Sequence, residues 1–442
     1  MAREGFFPCY VSLFSEVFFT IDSVCSIPAD TGDKMQYVAH EFNDNTIRFV
    51  LRYPGSLRAQ TLEKAVRVLL ERVPVLHASF RWDDAGAFWD VKEPVSGYFR
   101  TITVQDNPMP AAFAEAAQPI VPGNDIQLCC TLVQGKDSCA VVLRISHLCV
   151  DGSDGKYLLG KLTEACRMLE ATGNCDGLEL KNGSRAAEQV YSKMNRRQIL
   201  SLCRSPMTGV KSVFRFASTE PGERRMLTRT IPVSVMNAVR KRAKKAAATA
   251  NDLLLTACYH AYGELFGMQN EPLSVMSMMD LRRHCKDGES QGLSNLSGTL
   301  PTVLRNGLSA DFADTLAAIT AQTSALKNDP MAGLAGLPLL HGATRHLPLK
   351  ILLAANRRLY KNMSLGMTNL GNLSGEAFTI NGLAPDLGWF GGPLKKKPSV
   401  QVSVLSVDGV CTLSVVGEYT QADEQLLEEY LSRMVAALER YA

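Results

Sequence analysis

Residues 146–152 read Ser-His-Leu-Cys-Val-Asp-Gly, and they lie where a predicted strand meets a predicted helix. The residues before them, 140–145, are apolar and rich in β-branched side chains, which predicts a buried strand. The residues after them, 153–170, carry leucines at helical spacing. His147 therefore ends a strand and begins a loop. Because an imidazole titrates near neutral pH, a histidine in this place is suited to moving protons.

Local sequence leaves three interpretations of this loop open. In the first, His147 is a general base, and Asp151 turns back into the structure to hold the loop. In the second, the histidine is a hydrogen-bonded structural residue, and Asp151-Gly152 is only a turn. In the third, Cys149 and His147 form a nucleophile pair; this one is less favoured because such patterns transfer poorly between families.

The stretch 146–152 resembles the HxxxDG signature of the chloramphenicol acetyltransferase-like superfamily. That group includes nonribosomal peptide synthetase condensation domains, alcohol acetyltransferases, wax ester synthases and plant BAHD acyltransferases. Condensation domains usually carry two adjacent histidines. Ser146 stands in place of the first, and His147 matches the second, which is the catalytic one in the family. The departure weakens a specific condensation-domain assignment and leaves the acyltransferase assignment intact.

Other segments carry the same resemblance in the family's order along the chain. Residues 249–255 resemble its TxNDLLL helix start, and 279–283 resemble its DLR segment. Residues 368–371 (Thr-Asn-Leu-Gly) resemble the SNLG segment of the acetyltransferase branch, and 57–82 resemble the family's first helix followed by a strand. Residues 386–389 are similar to the start of the BAHD sequence DFGWG, although Phe390 breaks the match.

The predicted elements divide the chain into two halves. A polar, irregular stretch from about 171 to 225 follows the first helices and strands, and a strand near 226–231 begins the second half. Asp408-Gly409 between two apolar runs predicts a hairpin. The resemblance implies an α/β (α+β) fold of two acetyltransferase-like subdomains, each a mixed sheet with flanking helices. We expect these at 1–180 and 226–442, joined by a crossover linker at 181–225.

Composition excludes several classes of function. The chain has 442 residues and a formal net charge of +3, too small to indicate binding to nucleic acid or to an anionic membrane. It contains no apolar run of eighteen residues, and Glu16 interrupts the first apolar stretch, so neither a transmembrane helix nor a signal peptide is expected. The 12 cysteines show no metal or disulfide spacing. We therefore expect a cytoplasmic protein without a metal site.

The resemblance also implies a reaction, namely acyl transfer from a thioester to a hydroxyl or an amine. In the family, the catalytic histidine lies midway along a channel between the subdomains, so that donor and acceptor enter from opposite ends. His147 would be the general base. Asp151 would be structural and paired with Arg282 or, as second choice, Arg283. Gly152 would give the loop room, because glycine tolerates angles that other residues avoid.

The remaining site predictions concern the oxyanion and the ligands. Ser297, Thr368 and Asn369 are candidates to stabilise the tetrahedral intermediate, with loop or cap roles as the alternative. Two basic clusters, 240–245 and 395–397, would contact phosphates or simply be solvated. The expected co-substrate is acyl-CoA or a phosphopantetheine thioester, with no tightly bound cofactor. The expected acceptor is a small alcohol or amine.

Two further functions stay open at this stage. The protein could be a free-standing condensation-type enzyme, whose acyl donor is carried by an acyl carrier protein. It could also be a non-catalytic binding member of the same fold that has kept the loop. The intact His147 and Asp151 count against a purely binding role.

Overall fold

A computed structural model describes residues 25–93, 96–204, 210–268, 270–360 and 365–442. Glu16, on which the signal-peptide argument depends, lies outside these residues. The elements of the first half are β1 (Cys25–Pro28), α1 (Thr31–Ala39), β2 (Thr46–Pro54), α2 (Ala59–Arg72), β3 (Ala78–Asp83), β4 (Gly86–Val91), β5 (Phe99–Thr103), α3 (Met109–Ala116), β6 (Leu128–Gln134), β7 (Ser138–Ser146) and α4 (Gly152–Thr172).

A connection that contains the short helix α5 (Arg196–Leu202) leads to the second half of the chain. The elements of the second half are β8 (Glu223–Ile231), α6 (Val233–Lys245), α7 (Ala250–Phe266), β9 (Leu273–Asp280), β10 (Ser297–Leu304), α8 (Phe312–Asn328), α9 (Leu337–His346), α10 (Leu349–Tyr360), β11 (Leu365–Leu373), β12 (Leu387–Gly391), β13 (Gln401–Val407), β14 (Val410–Tyr419) and α11 (Gln421–Tyr441). Helix α5 lies inside the segment that the sequence predicted as irregular.

Two mixed sheets form the framework. The first has five strands in the order β12-β2-β7-β6-β5, and the second has six in the order β10-β9-β11-β13-β14-β8. A third, small sheet has the order β1-β4-β3. Each large sheet contains both parallel and antiparallel pairs. This α+β arrangement is the fold class that the sequence predicted.

Each of the two large sheets has its own apolar core, and a third cluster contains residues of both sheets. Helices α2 and α4 pack together over the first sheet, where Gly155 of α4 approaches Ile47 and Phe49 of β2. Helices α7 and α11 pack together over the second sheet. Both of these helices begin with the same N-capping motif. Thr249 and Thr420 each cap a helix through a capping box with an aspartate three residues later.

The predicted hairpin between β13 and β14 is present. Asp408 and Gly409 both have positive φ, at 44° and 88°. A two-residue turn with positive φ at both positions matches the right-handed twist of the flanking strands. Asp-Gly is a favoured pair for that turn, which explains why the sequence signal was specific.

One strand crosses between the two halves. β12 comes from the second half of the chain but pairs with β2 of the first sheet, Trp389 opposite Val50. It also contacts the second sheet, because Thr412 Oγ1 donates to the Gly388 carbonyl at 2.7 Å. The division at 181–225 stays a prediction, and the position of β12 shows that one segment of the second half completes the first sheet.

Candidate active site

His147 directly follows β7, in the loop before α4. The antiparallel pairing of β2 with β7 places Thr46 opposite Ser146, and the His147 N–H then donates to the Asn45 carbonyl at 2.7 Å. The backbone is therefore fixed on both sides of the loop's first residue. His147 is half-buried, whereas Leu148, Cys149 and Val150 are buried.

A hydrogen bond to Asn295 sets the tautomer of His147. The Asn295 amide nitrogen donates to the Leu148 carbonyl at 2.9 Å, which orients the amide so that its oxygen faces the ring. That oxygen lies 2.9 Å from His147 Nδ1, so Nδ1 carries the hydrogen and donates it. Nε2 then keeps its lone pair as an acceptor. Burial also lowers the pKa of His147 below 6.5, against the opposing effect of the Asp151 carboxylate.

Asp151 is the N-cap of α4, and both of its oxygens are engaged. Oδ1 accepts the Asp154 N–H at 3.0 Å, which caps the helix. Oδ2 accepts the Leu296 N–H at 2.8 Å and Arg282 Nη1 at 2.7 Å. The residue is 2% exposed. The carboxylate therefore faces away from solvent and joins the His147 loop to the segment before β10.

Arg282 is the centre of a buried charge network. Besides Asp151, its guanidinium donates to Asp154 at 2.6 Å, to Asp280 at 3.1 Å and to the Ser290 hydroxyl at 3.1 Å. Burial alone would lower the pKa of Arg282, but the Asp151 and Asp154 carboxylates outweigh it and raise that pKa. The arginine stays charged and ties the first half of the chain to the second.

A residue from the predicted crossover linker also holds the His147 loop in place. Arg185, inside the predicted crossover segment, donates to the Cys149 carbonyl at 2.9 Å and to Asp33 at 2.6 Å. Asp33 is 1% exposed and also accepts the Trp89 indole N–H at 2.9 Å. A second ion pair, between Arg185 and Asp33, thus helps to fix the backbone two residues after His147.

Gly152 is needed for space. It is the first residue of α4 and is not among the glycines with positive φ. A Cβ atom at this position would lie 2.9 Å from Leu370 Cδ2. The sequence argument expected an unusual backbone angle here, and that reason was wrong. The glycine instead permits close packing of α4 against β11.

The three oxyanion candidates lie on strands, at one end of the second sheet. Ser297 begins β10 and pairs with Asp280, the last residue of β9. Thr368 and Asn369 lie in β11 on the other side of β9. Among the described residues, none of the three hydrogen-bonds to His147. Arg282 joins this same end of the second sheet to α4. The three candidates therefore lie in the same region of the molecule as the Asp151–Arg282 pair.

The side chains of the three oxyanion candidates differ in their hydrogen bonds and in their exposure. Asn369 Oδ1 accepts the Gly371 N–H at 2.9 Å, and its amide nitrogen lies 3.4 Å from Asn251 Oδ1. Thr368 is 8% exposed, and Ser297 is exposed. Ser297 is therefore the candidate with the best access to a ligand, and Asn369 is the most constrained.

Cys149 does not form a nucleophile pair with His147. Its Sγ donates to the Val75 carbonyl at 3.4 Å, and the side chain is completely buried. Burial raises the pKa of its thiol well above the ordinary value. Because a thiolate is needed for attack, this thiol is inert.

The two basic clusters have structural contacts. Lys397 Nζ donates to the Ser218 carbonyl at 3.1 Å and to Asp423 at 2.6 Å. Arg242 donates to the Tyr441 carbonyl at 2.8 Å and lies over the Tyr441 ring. Within the described residues, no group of three or more histidine, cysteine, aspartate or glutamate side chains could hold a metal ion. No helix in that same part of the chain is long and apolar enough to cross a membrane.

Sequence reasoning missed Asn295 and Asp154. Asp154 follows Asp151 by three residues, and an acidic residue at that spacing is a recognised signal for the first turn of a helix. It could have been found. Asn295 lies in a polar stretch that resembles any loop, and 148 positions separate it from His147. Only the folded chain brings the two side chains together.

Comparison with solved structures identifies the fold, whereas no family model and no curated protein matches the chain. Trichothecene 15-O-acetyltransferase from Fusarium sporotrichioides superposes with a TM-score of 0.68 at 14% identity, covering 93% of this chain and 96% of that one. The first condensation domain of the CDA synthetase gives 0.67 at 14% identity, with 95% and 97% coverage. Polyketide synthase associated protein 5 from Mycobacterium tuberculosis gives 0.66 at 14%, with 94% and 100% coverage.

These likenesses define the class of fold. The chain shares its α+β fold with a condensation domain and with an acetyltransferase. The resemblance stated from the HxxxDG loop is thereby confirmed at the level of the fold. Activity and substrates are a separate question, which the site must answer.

Proposed function

We propose that this protein is an acyltransferase that moves an acyl group from a thioester to a hydroxyl or an amine, with His147 as the general base. One observation carries the proposal. Asn295 holds the imidazole of His147 as the tautomer whose Nε2 lone pair is available. A partly exposed neutral imidazole of this kind can accept a proton from a bound nucleophile.

The chemistry needs no covalent intermediate on the protein. The acceptor O–H or N–H gives its proton to Nε2 of His147 as its heavy atom bonds to the thioester carbon. The tetrahedral intermediate then collapses, the carbon–sulfur bond breaks, and the imidazolium returns the proton to the departing thiolate. Asn295 accepts from Nδ1 throughout, so it also stabilises the imidazolium. A fixed donor at the oxyanion would add about 2.7–4 kcal/mol.

Asp151 and Arg282 support this reaction without touching the reacting atoms. Their contact at 2.7 Å is buried on both sides, so it resists opening of the loop. The Leu296 N–H on the same carboxylate oxygen fixes the segment that carries Asn295. The Asp151–Arg282 pair therefore helps to position both the base and the amide that orients it.

The donor can be acyl-CoA or an acyl group on a carrier protein. Both present the same thioester on a phosphopantetheine arm, so the site chemistry is common to them. Likeness to condensation domains as well as to an acetyltransferase supports keeping both donors. We expect free acyl-CoA to suffice, and supply of the same acyl group on a carrier protein distinguishes the condensation-type alternative.

A free-thiol release assay tests the proposal. The parent protein would be assayed with a panel of acyl-CoAs and with acyl carrier protein thioesters, each with mixed alcohols and amines. We expect His147→Ala to lower turnover by about 10²–10⁴-fold. His346→Ala is the matched control, because that histidine is exposed at the end of α9. Near-parental turnover in His147→Ala would refute the mechanism, and binding without turnover in the parent would indicate a non-catalytic member.

A further inference from the structure

A mainly apolar cavity of about 350 Å³ is lined in part by Ser297, one of the oxyanion candidates. Its walls include Met276 and Leu281 from β9 and the turn after it, Leu326 from α8, Leu337 and Leu340 from α9, and Leu202 from α5. No lysine, arginine or histidine is among the described residues that line it. Such a lining suits hydrocarbon and offers no basic side chain to a phosphate group.

One oxygen of the Asp329 carboxylate, which lines the cavity, already has a hydrogen-bond partner. Asp329 Oδ1 accepts the Met331 N–H at 2.8 Å, in the turn between α8 and α9. The polar groups that remain are the hydroxyls of Ser297 and Thr299 on β10. The cavity therefore has polar groups at the start of β10 and in the turn between α8 and α9, and the larger part of its wall is hydrocarbon.

The start of β10 connects this cavity to the residue that contacts His147. Ser297 lies two residues after Asn295, whose side chain contacts the imidazole at 2.9 Å. Two residues of extended chain span at most about 7 Å. Leu281 in the cavity wall also donates its N–H to the Leu296 carbonyl at 2.8 Å and is the neighbour of Arg282. The same backbone thus forms one wall of the cavity and one side of the active site.

We propose that this cavity binds an apolar chain carried by one of the two substrates, with the reacting group of that substrate at His147. The proposal rests on the proposed function for the position of the reacting group. Its volume is near the lower end for small-molecule sites, about 300–1,000 Å³, so it fits one chain and not a whole coenzyme. The chain belongs to the acyl donor or to the acceptor, and the experiment separates the two.

Two substrate series test the proposal. One runs from acetyl-CoA to dodecanoyl-CoA with a fixed short alcohol, and the other runs from ethanol to 1-dodecanol with acetyl-CoA. In one series we expect kcat/KM to rise about fourfold for each added methylene until the cavity is full. A rise in the first series assigns the cavity to the donor, and a rise in the second assigns it to the acceptor. Two flat series would overturn the proposal.

Matched variants then locate the effect. Ala335→Phe fills the cavity from its wall, and Ala354→Phe makes the same change on the exposed side of α10, outside the cavity. We expect Ala335→Phe to abolish the chain-length preference and Ala354→Phe to leave it unchanged. Equal effects of both variants would overturn the proposal. If Ala335→Phe fails to fold by circular dichroism, Met276→Ala replaces it, and this enlarged cavity should favour longer chains.

A binding measurement separates failure of this proposal from failure of the proposed function. Calorimetry on His147→Ala compares octanoyl-CoA with acetyl-CoA, and 1-octanol with ethanol, without any need for turnover. Tighter binding of one long-chain ligand, lost in the double variant with Ala335→Phe, supports the cavity even if no acyl-CoA is turned over. Equal binding of long and short ligands in both pairs contradicts it even if the enzyme is active.

Discussion

Asp151→Asn tests the buried network that holds the candidate site. In the parent, Oδ2 of Asp151 accepts from Arg282 at 2.7 Å and from the Leu296 N–H at 2.8 Å, while Oδ1 accepts the Asp154 N–H at 3.0 Å. An asparagine has one oxygen in place of two. Whichever way its amide turns, an NH₂ group faces a donor that the carboxylate satisfied.

The cost follows from the better of the two amide orientations. The oxygen would stay with Arg282 and Leu296, and the helix cap on Asp154 would be lost, at about 0.5–2 kcal/mol. The bond to Arg282 would change from a charge-assisted pair to a weaker one, losing about 1 kcal/mol. Arg282 keeps Asp154 and Asp280, so the cost stays below the roughly 3–5 kcal/mol of a stranded buried charge. We expect the free energy of unfolding to fall by about 1.5–3 kcal/mol.

Urea unfolding at neutral pH, followed by tryptophan fluorescence, measures this loss. Asp280→Asn is the matched control, because the Asp280 side chain is 44% exposed and contacts the same arginine at 3.1 Å. Because one partner of this pair is exposed to solvent, we expect the pair to contribute less than about 1 kcal/mol. Turnover should fall in Asp151→Asn as well, since the variant loosens the loop that carries His147. A stability within 0.5 kcal/mol of the parent, or an equal loss in Asp280→Asn, would refute the reasoning.

Three further predictions concern single side chains. Asn295→Leu removes the hydrogen-bond acceptor of His147 Nδ1 and should lower kcat with little change in KM. An unchanged kcat would contradict the assignment of the His147 tautomer. Burial lowers the pKa of His147, so the acid limb of kcat/KM against pH should have its midpoint below 6.5, and a midpoint above 6.5 would count against this base. Burial lowers the pKa of His260 to about 4. The unfolded chain then binds more protons between pH 4 and 6.5, so stability falls as pH falls through that window. His260→Phe should flatten that dependence in urea titrations at several pH values, and an unchanged slope would show that other groups cause it.

Much of the secondary structure could be predicted because its causes are local. The strand before His147, the helix after it, the capped helix α7 and the hairpin at Asp408-Gly409 each follow from a pattern within about twenty residues. The pairing of β12 with β2 could not be predicted in this way. Its partner strand lies more than 300 positions earlier, and Gly388 and Gly391 interrupt its apolar run. Non-local pairing leaves no short-range periodicity to read.

The candidate site shows the same limit. His147 and Asp151 were found from their spacing, and Arg282 was chosen only through the family resemblance. The partners of these three residues, above all Asn295 and Asp154, were not found, and the reason given for Gly152 was wrong. Which amide meets the imidazole depends on how two distant loops pack, and a neighbour's side chain decided the space at Gly152.

By itself, the amino-acid sequence determined where strands and helices form and which imidazole ends a strand beside a capped helix. These features depend on backbone preferences and on the spacing of apolar residues, which act over a few turns of chain. Only the tertiary structure decided the tautomer of His147, the burial of the Asp151–Arg282 pair and the mainly apolar cavity that Ser297 lines in part. Each of these three features depends on groups more than a hundred residues apart. The contacts between those groups form, and contribute free energy, only in the folded chain.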